Sequence, residues 1–371
     1  MNWRVPVAQP ELGAREFAAL SAAFRSGRIS QGPQTEAFEN EFAKFCGVGH
    51  AVAASSGTAA VHLALMALGA GPGDEVLSTP ISCIATTNPV VLQGARLRFV
   101  DVDPATGNMD LDALEKAAGP RTRGILLVHL LGRPMDMPRV MAFAKRRRLW
   151  VIEDCCLAHG ADAAGRRAGA WGDLGVFSFY ANKIITSAEG GMVVSRDRKT
   201  ASRLRALRGF GQDPSRAFRH PLFGMNYKLS DLHAAVGRAQ LARIGDFISR
   251  RRKRTETFER GFRGVRGVAP LPPEGRGFRT VYFSYPLIFE SAALRRRAES
   301  ALRAAGVETR PLFSLIPDQP CYRRLGYGTK DVPRAAALHR RAIYVSNAPG
   351  LTPHQQDLII RTVRRAVERR P

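Results

Sequence analysis

Between residues 50 and 200, apolar runs of four or five residues alternate with stretches in which apolar positions recur every third or fourth residue. This alternation narrows the fold more than any other property of the chain. Runs that short fit strands buried on both faces, whereas the three-to-four spacing fits amphipathic helices. Strands are read at 75–79, 97–100, 124–128, 150–153, 176–179 and 192–195, with helices at 58–68, 111–118 and 137–147 between them. Strand and helix in turn make crossover connections, so the segment predicts an α/β domain with a mostly parallel, doubly wound sheet. From 229 to about 261 the pattern is one long helix or a bent pair, opened by Ser230-Asp231 as its cap. A Gly- and Pro-rich stretch at 264–277 follows, then a strand at 282–288 and helices at 292–305 and 353–369, the signs of a smaller α+β domain. The division is placed at 1–250 for the large domain, with an N-terminal helical segment, and 251–371 for the small one.

Charge bears on partners. The formal net charge is +24, from 56 basic residues of which only eight are lysine. Such a balance favours anionic ligands, phosphorylated small molecules among them. The densest runs, 146–148, 250–254 and 295–297, fall in helical stretches and are read as solvated faces; without interleaved aromatics or a nucleic-acid motif they do not point to nucleic acid. Five cysteines, Cys46, Cys83, Cys155, Cys156 and Cys321, show neither a disulfide framework nor zinc spacing. Adjacent Cys155 and Cys156 would point apart at a strand edge, so no metal is expected. With no signal-like start and no 18-residue apolar run, the chain is expected to be cytoplasmic and free of the membrane.

Three places carry chemistry. Ser56-Gly57-Thr58-Ala59-Ala60 leads into a helix whose N-terminal N–H groups would suit a phosphate, although these residues also cap helices well. The strand at 150–153 ends in Asp154, at the carboxyl edge where ligands of open α/β folds collect. Ser178 and Lys183 follow the strand at 176–179. An anion cradle, a carboxylate and a lysine are the parts a pyridoxal phosphate site requires: an anchor, a partner for the pyridine nitrogen, and an amine for the Schiff base. Taken singly, each could be a cap or a surface residue.

These stretches occur in one order with Gly71-Pro72-Gly73-Asp74-Glu75-Val76, Phe99-Val100-Asp101-Val102-Asp103-Pro104, Val128-His129-Leu130, Ile152-Glu153-Asp154, Gly172-Asp173-Leu174-Gly175, Glu189-Gly190-Gly191-Met192 and Asn226-Tyr227-Lys228-Leu229-Ser230. Over nearly its whole length the chain resembles the DegT/DnrJ family of sugar aminotransferases. The resemblance implies an aspartate-aminotransferase type fold (fold type I) with a seven-stranded-type sheet. It also implies pyridoxal 5'-phosphate as cofactor, cycling through pyridoxamine 5'-phosphate. Lys183 would be the Schiff-base lysine and Asp154 the pyridine-nitrogen partner, while Gly57, Thr58 and Ser178 would hold the phosphate. Asn226 would reach the phosphate of a neighbouring subunit's cofactor, implying a homodimer with shared active sites. His129 and His159 match family positions and are read as supports near the cofactor.

The implied reaction moves an amino group from an amino acid, by likeness L-glutamate, to a keto-sugar. Residues 182–186 and Glu308-Thr309-Arg310-Pro311 are similar to the perosamine-synthase-like branch, which aminates nucleotide-linked 4-keto-6-deoxysugars, and make Arg310 a candidate substrate contact. A cyclitol (inosose) aminotransferase and a non-catalytic regulator that binds the cofactor are the alternatives. Lys183 argues against the sugar 3-dehydratases, which carry histidine there. Two positions depart from the family: Cys83 stands where an aromatic stacks on the ring, and Leu157 where a polar side chain approaches the ring hydroxyl.

Overall fold

The computed structural model describes residues 3–213 and 215–368. Its centre is a seven-stranded sheet built from β1 (His50–Ala54), β2 (Glu75–Ser78), β3 (Arg96–Phe99), β4 (Thr122–Val128), β5 (Trp150–Asp154), β6 (Leu174–Ser178) and β7 (Gly191–Ser195). They lie in the order β1-β7-β6-β5-β4-β2-β3. Strand β7 runs antiparallel to both neighbours, and the other pairings are parallel. All six expected strands are present. β1 was not expected: Val52 is its single β-branched residue among alanines and a histidine, and pairing with β7 from His50↔Ser195 to Ala54↔Gly191 makes it a strand.

Alternation along each strand divides the core. Leu77, Ile125, Leu127 and Val151 face helix α5 (Met137–Arg147; α1 Ala14–Arg25, α2 Pro33–Cys46, α3 Gly57–Leu68 and α4 Leu111–Ala117 precede it) through Val140 and Phe143. Val76, Leu126, Ile152 and Val176 face the opposite way, onto Val61 and Leu65 of α3. Burial on both faces is what a doubly wound sheet requires. It leaves the carboxyl ends of β4, β5 and β6 side by side, with Val128 opposite Asp154 and Asp154 opposite Val176.

After α6 (Arg198–Arg208), the expected long helix is the bent pair α7 (Asp231–Leu241) and α8 (Ile244–Phe262), broken at Ala242 and Arg243. Buried Asp231 also caps α2, accepting from the N–H groups of Gly32, Gln34 and Thr35 at 2.8–3.0 Å. Residue 250 falls inside α8, which runs on without interruption. The smaller body is a sheet of β8 (Val268–Ala269), β9 (Tyr285–Phe289), β10 (Arg310–Pro311) and β11 (Ala342–Val345), ordered β8-β9-β11-β10 and antiparallel throughout. Helices α9 (Ala292–Ala304), α10 (Pro333–Arg341) and α11 (Pro353–Glu368) accompany it; residue 369, the expected end of the last helix, lies outside the described residues.

Two features depart from expectation. Val5 exchanges backbone hydrogen bonds with Gly306 and Glu308 at 3.1 and 2.9 Å and packs with Phe258 and Leu302, so the first residues belong to the small body. Of the basic runs, 146–148 is solvated as expected, but 250–254 is not. Arg250 pairs with Glu11 and Asp246, Arg252 pairs with Glu274, Arg254 donates to the carbonyls of Pro349 and Leu351, and Arg251 is buried. Arg251 falls on the inward stripe of α8, in step with Phe247, Ile248, Thr255 and Phe258. Among the described residues no helix is long and apolar enough to cross a membrane.

Candidate active site

Asp154 closes β5 and is buried. Its Oδ2 accepts from the Thr86 hydroxyl at 2.7 Å and its Oδ1 from the Cys156 N–H at 3.0 Å. Thr86 ends a short 3-10 turn at Ile84–Thr86, and its hydroxyl, donating to Asp154, is left to accept from Ser82 at 2.9 Å. Sequence reasoning missed this relay. Ser82 lies on a short strand and Thr86 on the turn that follows it, so no helical spacing in the sequence marked the pair.

Next to Asp154 the chain builds an anion cradle. Ser56 caps α3, its Oγ accepting from Ala59 N–H at 3.1 Å. The N–H groups of Gly57 and Thr58 in the first turn have no carbonyl one turn back to bond. A Cβ on Gly57 would stand 2.7 Å from Ser178 Cβ, 3.0 Å from its Oγ and 3.3 Å from Cys156 Sγ. Only glycine lets the helix N-terminus, the end of β6 and the residues after β5 meet at one point. Gly191 is needed similarly, since a Cβ there would lie 2.2 Å from the Ser56 carbonyl.

Lys183 sits on the loop beyond β6, in a turn closed by its N–H to the Tyr180 carbonyl at 2.9 Å, with its ammonium 5.4 Å from the centre of the Phe283 ring. Cys156 stands between the components. Burial first, and then the Asp154 carboxylate, push its thiol well above the ordinary range, while the Lys183 ammonium opposes them. It therefore remains a neutral thiol among groups that could otherwise pair with it.

The two histidines differ. His129 accepts from Met135 N–H at Nδ1 (3.1 Å), which leaves its proton on Nε2, 3.0 Å from Glu153. Glu153 also accepts from the N–H groups of Gly169, Trp171 and Gly172. With Cys155 these two residues are the metal-like grouping among the described residues, but the donor atoms of His129 and Glu153 are committed to hydrogen bonds that tie β4, β5 and the 169–172 loop together. His159 is wholly buried beside the rings of Phe42, Phe177 and Phe179, and neither ring nitrogen has a partner. Burial, and secondly the Lys183 charge, hold its pKa down to about 3.

The other expected residues lie apart. Asn226 is exposed on a loop beside Phe223, which is 98% exposed; the loop is tied to the cradle by the Ser55 N–H to the Tyr227 carbonyl at 2.8 Å. Arg310 is 60% exposed, pairs with Glu308 at 2.6 Å and makes no contact with the cluster among the described residues. Cys83 is exposed at the start of the Thr86 turn, and Leu157 is buried against Gly132.

Pyridoxal phosphate fits what is present: a cradle that a single methyl would fill, a buried carboxylate held from two sides, an amine on the adjoining loop, and a buried histidine without partners. A fold and site of this kind define a pyridoxal-phosphate-dependent aminotransferase. The chain belongs to the DegT/DnrJ/EryC1/StrS aminotransferase family, whose model matches residues 10–364. It is 37% identical over 360 residues to a GDP-perosamine synthase of Caulobacter vibrioides, covering 96% of each chain. It is 36% identical over 366 residues to a dTDP-3-amino-3,4,6-trideoxy-alpha-D-glucose transaminase of Streptomyces venezuelae, covering 98% of this chain and 94% of that one. The solved structure of S. venezuelae DesV in complex with a ketimine intermediate superposes with a TM-score of 0.91 at 34% identity, over 96% of this chain and 95% of the other.

Proposed function

We propose that this aminotransferase moves the amino group of L-glutamate to a nucleotide-linked 4-keto-6-deoxysugar, as a cytoplasmic homodimer with shared active sites. The observation that carries the reading is the convergence of Gly57, Ser178 and Asp154 around Cys156, with Lys183 on the loop that follows Ser178. When bound, the cofactor supplies an electron-accepting ring that lets a C–H bond beside nitrogen ionise. Gly57 and Thr58 N–H groups and the Ser178 hydroxyl hold its phosphate. Asp154, braced by Thr86 and Cys156, holds the proton of the pyridine nitrogen. Lys183 carries the cofactor and, once released, works as the acid and base: its Nζ takes a proton at the donor's α-carbon and later delivers one to the sugar carbon. Leu157 and Cys83 offer the ring no hydroxyl partner and no aromatic face, so binding rests more heavily on the cradle and the carboxylate.

The dimer is supported by Asn226 lying exposed on the same loop as Phe223 and Met225, apolar side chains that a partner subunit would cover. A nucleotide carrier is supported by the GDP- and dTDP-sugar names of the relatives, and by the exposed Arg310, whose guanidinium a diphosphate could take over from Glu308. The test is spectroscopic. Cofactor-loaded protein is expected to lose its visible absorption on adding glutamate and to regain it with a nucleotide 4-keto-6-deoxysugar. Return with inososes alone would favour the cyclitol reading, and no loss with any amino donor would favour a regulator.

A further inference from the structure

Arg251 is 4% exposed, and among the described residues no carboxylate stands within ion-pair distance of it. Its flanking arginines have found acids; it has not. One terminal nitrogen donates to the carbonyls of Phe283 and Asn347, at 2.6 and 3.1 Å, while Nε is buried without a partner. Burial, and then Arg254 and Arg250, lower its pKa to about 9, with no acid raising it. A buried cation without a counter-ion is costly to keep. The cost is explained if an anion arrives during the reaction.

Where it would arrive is set by the cavity that Arg251 lines together with Asn182, Lys183, Phe283, Ser284 and residues 7–10. Asn182 Oδ1 is also buried with no donor to accept from. Beside the reactive amine, then, stand an uncompensated cation and an unsatisfied acceptor. The groups that would complete them, a carboxylate and an amine on one carbon, are what an α-amino acid carries. The free space is about 20 Å³, room for one or two water-sized groups; a carboxylate head fits and a hexose does not.

We propose that Arg251 binds the α-carboxylate of the amino donor, with Asn182 Oδ1 accepting from its amine. The assignment rests on the aminotransferase reading above. Because the sugar brings no carboxylate to this cavity, the effect of removing Arg251 is confined to one half-reaction.

The experiment measures the two half-reactions separately on cofactor-loaded protein. Arg251→Gln is expected to raise the KM for glutamate about 100-fold, the loss that follows truncation of one partner of a buried charge pair. Amination of the keto-sugar by amine-loaded protein is expected to stay within about twofold of wild type. Arg251→Lys should recover part of the loss, and 2-oxoglutarate should raise the melting temperature of wild type but not of Arg251→Gln. Equal loss in both half-reactions would mark Arg251 as a structural tie and overturn the proposal. Should the variants fail to fold, wild type decides: 4-aminobutyrate, which is glutamate without the α-carboxylate, is expected to react at least about 100-fold more slowly, and parity with glutamate overturns the assignment. If no amino acid converts wild type, the aminotransferase reading falls and takes this assignment with it, a pattern distinct from parity.

Discussion

Gly57→Ala puts the cradle to a quantitative test. The new methyl would lie 2.7 Å from Ser178 Cβ, about 1 Å inside ordinary carbon contact at 3.5–4.0 Å. The Ser178 hydroxyl can rotate away, but its Cβ is fixed to the backbone of β6. Overpacking of this kind costs about 1–3 kcal/mol. Without the clash, alanine in a helix would instead gain up to ~1 kcal/mol over glycine, so even the sign is informative. If the clash is relieved by opening the cradle, it weakens cofactor affinity by about 5- to 150-fold. Titration of cofactor-free protein with pyridoxal phosphate measures this directly. The geometry predicts more: the Gly57→Ala penalty should persist in a Ser178→Ala background, where the Cβ remains, and vanish in Ser178→Gly, where it is gone. Unchanged affinity in Gly57→Ala, or equal relief in both backgrounds, would refute the reasoning.

Borohydride treatment of cofactor-loaded protein is expected to fix label on Lys183, and Lys183→Ala to take none; label elsewhere in wild type would contradict the assignment. His159, with its folded pKa lowered from 6.5 to about 3, takes up a proton on unfolding, so its contribution is full above pH 6.5 and is lost as pH falls toward 3. His159→Phe, set among phenylalanines, should therefore flatten the acid limb by about 2 kcal/mol over the first 1.5 pH units below 6.5, read from denaturant midpoints. Glu39 accepts from the buried Arg208 at 2.5 Å and from Ala53 N–H at 2.9 Å, so Glu39→Ala leaves a buried guanidinium unpaired and should cost about 3–5 kcal/mol. Asn226→Ala should weaken cofactor binding in the dimer without lowering the unfolding midpoint of the cofactor-free protein, a comparison of titration with denaturation.

The central strands were legible because burial on both faces demands uninterrupted apolar runs, and the same runs located Asp154 and Ser178 at carboxyl edges. β1 was hidden because His50-Ala51-Val52-Ala53-Ala54 has no intrinsic preference that outweighs its neighbours' pairing. The strand expected at 282 begins at Tyr285, since Tyr282 is in the left-handed region at φ 52°. The basic run at 250–254 misled because charge density was weighed without the period of the helix, which turns Arg251 inward in line with Phe247 and Phe258. The family resemblance named His159 as a support near the cofactor, but neither its burial without partners nor the position of Cys156 beside Asp154 and Gly57 could be read from the sequence. Their surroundings are assembled from segments far apart in the chain, and no local spacing reports them.

One attachment has a consequence for how the protein is made. Val7 donates to Glu308, 301 residues further on, and residues 7–10 wall the cavity beside Lys183. At about 5–20 residues per second of synthesis, Val7 waits some 15–60 s on the ribosome for Glu308 to emerge. The sheet and the cradle can assemble meanwhile, so a nascent chain completes this wall of the cavity only after they have formed.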